Sequence, residues 1–105
     1  TIAPFLFPDC FGATILSTLD YRLSIAPMMQ YTDRHYRYFM RQFSKHTLLF
    51  TEMVVGNTIT HNLKSDYLDK VLGFAAIEHP IAIQLGGDDS KVMKQAAKVC
   101  EDYGY

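Results

Sequence analysis

Three short segments carry the residue types best suited to chemistry: Ala26-Pro27-Met28-Met29, Thr51-Glu52-Met53 and Gln84-Leu85-Gly86-Gly87. Between them they offer thioethers, a proline-flanked backbone, one carboxylate and one amide. No Ser-His-Asp set accompanies them and no segment holds a pair of carboxylates, so neither triad hydrolysis nor two-carboxylate acid–base work is on offer. The set suits a flat aromatic ligand with a polar edge, such as a flavin. Gln84 presents a carbonyl oxygen and an NH₂ group together, so it can serve both an acceptor and a donor on that edge. Backbone around Met28 and Met29 can approach a ring without adding charge, while thioethers pack on its face. As bare residue types the same positions also read as core filler, Met28 and Met29, and a satisfied buried amide, Gln84.

The elements that must position these segments follow from the apolar pattern. Leu23-Ser24-Ile25-Ala26 is a short apolar run stopped by Pro27. Residues 33–45 predict a helix with Thr32 placed to cap its first turn. In it Tyr36, Phe39, Met40 and Phe43 recur at i, i+3, i+4 and i+7 as one apolar stripe. Residues 48–54 read as a second strand, 57–72 as a weaker helical stretch broken near Lys64-Ser65, and 81–85 as a third strand. Asp89 or Ser90 caps a further helix whose inward side carries Val92, Met93, Ala96, Ala97, Val99, Cys100 and Tyr103. Gly104 stands where a helix end wants a residue tolerant of positive φ.

Strand runs that are apolar almost throughout predict strands covered on both faces, and strand–helix repetition predicts a parallel sheet. The fold class is therefore α/β, and its strand ends are where chemistry collects. Three strand–helix units fill residues 23–103, whereas a closed eight-unit barrel takes about 250 residues. The chain reads as the N-terminal portion of a (β/α)8 barrel, incomplete here. Residues 1–21 form an extension of uncertain structure, and 22–105 form the partial barrel domain. Thr1 in place of Met points the same way, to a piece of a longer chain.

Composition sets outer bounds. The chain has 105 residues, 49% of them hydrophobic and 20% charged, with a formal net charge of −1. This balance excludes a disordered tail or a coiled coil, and it excludes a wholly basic surface for nucleic acid. The strongly apolar stretch from Cys10 to Leu19 holds ten residues, half of what a bilayer span needs (about 20). Cys10 and Cys100 stand far apart and form no CxxC pair, so a reducing compartment is the default. Localisation stays open, with cytoplasm and plastid the leading compartments. His35, His46, His61 and His79 lie 11, 15 and 18 residues apart, unlike a zinc ligand set.

Two further features admit two readings each. Arg34, Arg37, Arg41 and Lys45 fall at i, i+3, i+7 and i+11, opposite the apolar stripe. Such a row could track RNA phosphates, or be the solvated outer face of a helix. Gly86-Gly87-Asp88-Asp89 has a phosphate-loop look but lacks the GxGxxG spacing, and its carboxylates would repel an anion. It reads as a strand-to-helix turn with an acidic cap.

The stretch RLSIAPMMQYTDRHYRYFMRQFSKHTLLFTEMV, followed by HPIAIQLGG, resembles the N-terminal part of the tRNA-dihydrouridine synthases. Within them it is most similar to the A-type subgroup of bacteria and plastids, in which an AP-M-x-x-x-T-D-R-x-x-R pattern precedes a TEM strand. The resemblance covers residues 22–105 and implies an FMN-dependent barrel enzyme. Such enzymes use NADPH to reduce the flavin and then reduce the C5–C6 bond of uridines in the tRNA D-loop. It implies that Pro27, Met28 and Met29 lie beside the flavin and that Gln84 bonds its isoalloxazine edge. Glu52 matches the acid of the TEM strand, with a role open between orienting neighbours and contacting RNA.

The same resemblance implies a catalytic Cys in an Asn-x-Gly-Cys-Pro setting after a fourth strand, with a Lys, a His and phosphate-gripping glycine loops beyond it. The chain holds none of these, so no catalytic residue is assigned and the chain alone is expected to be inactive. tRNA is the expected partner, with no membrane and no metal. The alternatives are a non-catalytic RNA- or partner-binding remnant of the barrel, or another FMN barrel oxidoreductase acting on a small molecule.

Overall fold

A computed structural model describes residue 20 and residues 22–105. The expected extension over 1–21, and Cys10 within it, therefore lies outside the described residues apart from Asp20. The first strand, β1 (Ser24–Ile25), is short, since Pro27 has no N–H with which to extend a ladder. Helix α1 follows at Arg34–Arg41. Its cap is Asp33, whose Oδ1 accepts the Tyr36 amide at 2.8 Å, and not Thr32 as the sequence suggested. Strand β2 runs over Leu48–Val55. Helices α2 (Gly56–His61) and α3 (Asp66–Leu72) divide the weaker helical stretch at the expected place, with the Ser65 hydroxyl accepting the Tyr67 amide.

A 3₁₀ turn at Ala76–Glu78 leads into β3 (Ile81–Gly86), and α4 spans Ser90–Tyr103. Asp89 caps α4 through the amides of Lys91 and Val92, at 2.8 and 3.2 Å. Gly104 ends it at φ 104°, a left-handed conformation that side chains disfavour. Asp89→Ala removes the cap and is expected to lower stability by about 1 kcal/mol, read as a shift in the chemical-denaturation midpoint.

The strands form one parallel sheet in the order β1-β2-β3. Phe50 pairs with Ala82 and Met53 with Gln84, so Thr51 and Glu52 together face Ile83 alone. This bulge sits in the middle of β2, where such irregularities re-aim side chains. One sheet face packs on the helices: Ile83 joins Ile59, Leu68, Leu72, Ala96 and Cys100 in the core, with Val54 and Leu85 at its margin. The opposite face opens toward the carboxyl ends of the strands, where Met53, Val55 and Gln84 are exposed.

Helix α1 presents its faces the other way round from the sequence expectation. Phe43 of the apolar stripe is 71% exposed, and Phe39 stacks edge-on against it in the open, with centroids 5.1 Å apart. The basic row turns inward instead: Arg37 is 5% and Arg41 4% exposed. Buried carbonyls must find donors, and a guanidinium carries five. Arg41 donates to the carbonyls of Ser44 and Thr47, both at 2.8 Å, and to those of Glu78 and Pro80 at 2.8 and 3.0 Å. Those bonds turn the chain after α1, which stops short of Lys45. Arg37 pairs with the buried Glu78 carboxylate, Nε to Oε1 at 2.7 Å, and donates to the Thr32 carbonyl at 2.8 Å. Arg34 is exposed, and its Nη2 donates to the Asp69 carbonyl at 2.9 Å at the end of α3. There Gly73 leaves it room, since a Cβ would meet Arg34 Nη2 at 2.6 Å.

Candidate functional site

The carboxyl ends of β1 and β2 bring two of the segments singled out from sequence to one open cleft of about 330 Å³, lined among others by Met29, Thr51, Glu52, Met53, Tyr67 and Lys70. Gln84 stands beside it, because its register partner on β2 is the cleft residue Met53. The Gln84 backbone amide donates to the Thr51 hydroxyl at 3.3 Å. Its side chain is exposed and makes no hydrogen bond among the described residues. A Cβ on Gly86 would meet the Met53 sulfur at 2.7 Å, so Met53 lies over Gly86 and carries its thioether along the strand ends. Met28 is exposed on the loop after β1, and Pro27 is half-buried at the strand end. Neither lines the cleft itself.

The loop after β1 has a defined shape. Its turn closes through the Tyr31 and Thr32 amides, which donate to the Met28 carbonyl at 3.1 and 2.9 Å. The Thr32 hydroxyl accepts the Met28 amide at 3.0 Å. At the apex Gln30 adopts φ 68°, the left-handed region that a residue with a Cβ enters at a cost. Its amide donates to Glu52 Oε1 at 2.5 Å. The role left open for Glu52 is thus, in geometry, one of holding a neighbour. Sequence reading named Glu52 but not Gln30, since no glycine or asparagine marks the turn.

The uncharged amide beside thioethers fits a flavin ring edge and face: Gln84 has donors and acceptor unspent, and its register partner Met53 is uncharged. Arg37 and Arg41, expected along an exposed phosphate-tracking row, are buried and committed to protein acceptors. Among the described residues no group of three or more His, Cys, Asp or Glu side chains is arranged to hold a metal. No described helix is long and apolar enough to cross a membrane.

Cys100 sits in the core, 3% exposed, and burial pushes its thiol up to about 12. A thiol held protonated is no nucleophile. Cys100 is expected to resist alkylation in native buffer and to label stoichiometrically after denaturation, as read by peptide mass mapping. Rapid native labelling would show that the α4 face is not packed.

The family model described as dihydrouridine synthase matches residues 24–105. A tRNA-dihydrouridine(20/20a) synthase of Synechocystis is 47% identical over 83 residues, which are 79% of this chain and 24% of that protein. The protein of that name from Escherichia coli K12 is 50% identical over 84 residues, 80% of this chain and 23% of its own length. That of Pasteurella multocida is 49% identical over 84 residues, with 80% and 24% covered. The chain thus spans about a quarter of the length of these relatives. Its three-stranded parallel α/β sheet is consistent with part of a (β/α)8 barrel. On the match across residues 24–105, the chain belongs to the dihydrouridine synthase family.

Proposed function

We propose that residues 22–105 supply the front portion of an FMN-binding barrel, and that the protein they belong to reduces uridines in the tRNA D-loop to dihydrouridine, with NADPH as reductant. Met29 lines one side of the isoalloxazine, with Pro27 and Met28 beside it on the same loop, and Gln84 bonds its polar edge through both amide groups. Bound FMN, once reduced, supplies the hydride for the uracil C5–C6 bond. The chain's own residues place the ring, exclude water from its face with thioethers, and satisfy its edge without adding charge. The group that protonates uracil C5 lies outside this chain, which forms no dihydrouridine by itself.

The observation that supports this reading best is the exposed, uncommitted Gln84 amide paired in register with the cleft residue Met53. A remnant that binds RNA along α1 has less support, because two of its three arginines are spent inside the protein. Family membership weighs against a small-molecule oxidoreductase. The test is expression of the protein as its gene encodes it in a bacterium lacking its own synthase for the same tRNA positions. Dihydrouridine should return in the tRNA nucleoside digest. Normal levels of soluble, flavin-loaded protein with no dihydrouridine would refute the activity.

A further inference from the structure

We propose that Glu52 is a positioning residue for the flavin-facing loop: its carboxylate latches the Gln30 amide and thereby fixes Met28 and Met29 where they meet the ring. This rests on the flavin reading above and deepens it. Three observations converge. Gln30 holds a left-handed backbone at φ 68°, which an unassisted residue of its type leaves readily. Among the described residues, the side chain that reaches its amide belongs to Glu52, 22 residues away and at 2.5 Å, and a charged acceptor makes the stronger kind of hydrogen bond. Glu52 stands at the β2 bulge, where the strand's side-chain alternation shifts, and it lines the same cleft as Met29.

The far end of the same loop is tied independently. Arg37 donates to the Thr32 carbonyl at 2.8 Å, and the Thr32 hydroxyl accepts the Met28 amide. With both ends held, Met29 has a fixed place at the cleft, where Glu52 also stands. Without the latch the Gln30 peptide is free to turn over and carry Met29 away from the ring. Such disorder raises the cost of ligand binding while leaving the folded core intact.

The experiment compares Glu52→Leu and Glu52→Gln in the protein as its gene encodes it. FMN affinity is measured by quenching of flavin fluorescence, with a thermal melt as the control for folding. Gln retains an oxygen that can accept the Gln30 amide, whereas Leu keeps the bulk and loses the acceptor. We expect Glu52→Leu to bind FMN at least tenfold more weakly, Glu52→Gln to stay within about threefold of the parent, and both to melt within a few degrees of it; tenfold corresponds to about 1.4 kcal/mol. In the unmodified protein the Gln30 amide should exchange slowly with solvent despite its exposed loop, and Glu52→Leu should speed that exchange.

Unchanged FMN affinity in Glu52→Leu, with any loss confined to the KM for tRNA, overturns the assignment and makes Glu52 an RNA contact. Equal weakening in Leu and Gln overturns the hydrogen-bond argument. Fast exchange of the Gln30 amide in the parent overturns the latch without recourse to a variant. A parent that binds no FMN brings down the flavin reading of the site and this inference together, a result distinct from the other three.

Discussion

Glu78→Ala is expected to destabilise the fold by about 3–5 kcal/mol, the usual consequence of stranding a buried guanidinium without its partner. Glu78 is 1% exposed and holds Arg37 at 2.7 Å. Its other oxygen accepts the Ala75 amide at 2.5 Å, so the substitution also orphans the 3₁₀ turn that feeds β3. Domains of this kind are stable by about 5–15 kcal/mol, and a loss of that size consumes much of the margin. Replacing both partners, with Arg37→Met and Glu78→Leu together, is expected to recover part of the loss, because paired removal leaves no uncompensated charge. Urea titration of the single and double variants checks both statements. A cost under about 1 kcal/mol for Glu78→Ala would mean that the pair is solvated, as exposed ion pairs are.

Gln84→Leu should act in the opposite sense, sparing the fold and removing the ligand. Gln84 is exposed, and its structural bond uses the backbone amide, which Leu retains. Stability should therefore stay within about 0.5 kcal/mol of the parent, as for most surface substitutions. In the flavin complex, however, the variant leaves a donor and an acceptor on the ring edge without protein partners. Each unmet bond costs about 1–3 kcal/mol, so the two together should lower FMN affinity by about 30-fold or more. Purified Gln84→Leu should emerge nearly colourless while its circular dichroism and melting temperature match the parent. A yellow protein with the parent's flavin content would remove Gln84 from the site.

Much of this architecture was legible in the sequence because local signals agreed with one another. The apolar runs at 48–54 and 81–85, the Ser65 break and the Asp89 cap all lie within one or two residues of the observed elements. The Gly104 stop also stands where it was read. Helix α1 was not legible in its orientation. Its 3.6-residue period was clear, but periodicity identifies two opposite faces without saying which turns inward. The hydrophobic rule chose Phe39 and Phe43. What chose otherwise was a set of buried and half-buried carbonyls at Ser44, Thr47, Glu78 and Pro80, of which Glu78 and Pro80 lie far from α1 in sequence. Arg37 and Arg41 one turn apart were the available signal, read as a phosphate row or a solvated outer face, and their burial fits neither.

The candidate site divides in the same way. Pro27, Met28, Met29 and Gln84 stood out by residue type and by family resemblance. The Glu52–Gln30 contact joins residues 22 apart and depends on a strand bulge and a left-handed residue that no glycine announces. Both are products of tertiary structure, which local propensity does not encode.

On the flavin reading, Gln84 faces bound FMN beside this cleft. The most direct measurement follows the Gln84 side-chain amide resonances in the isotope-labelled gene product as FMN is added. They should shift saturably at one equivalent, together with the Met29 methyl, while the Cys100 backbone amide stays still. Stoichiometric FMN binding with the Gln84 resonances unmoved would contradict the claim.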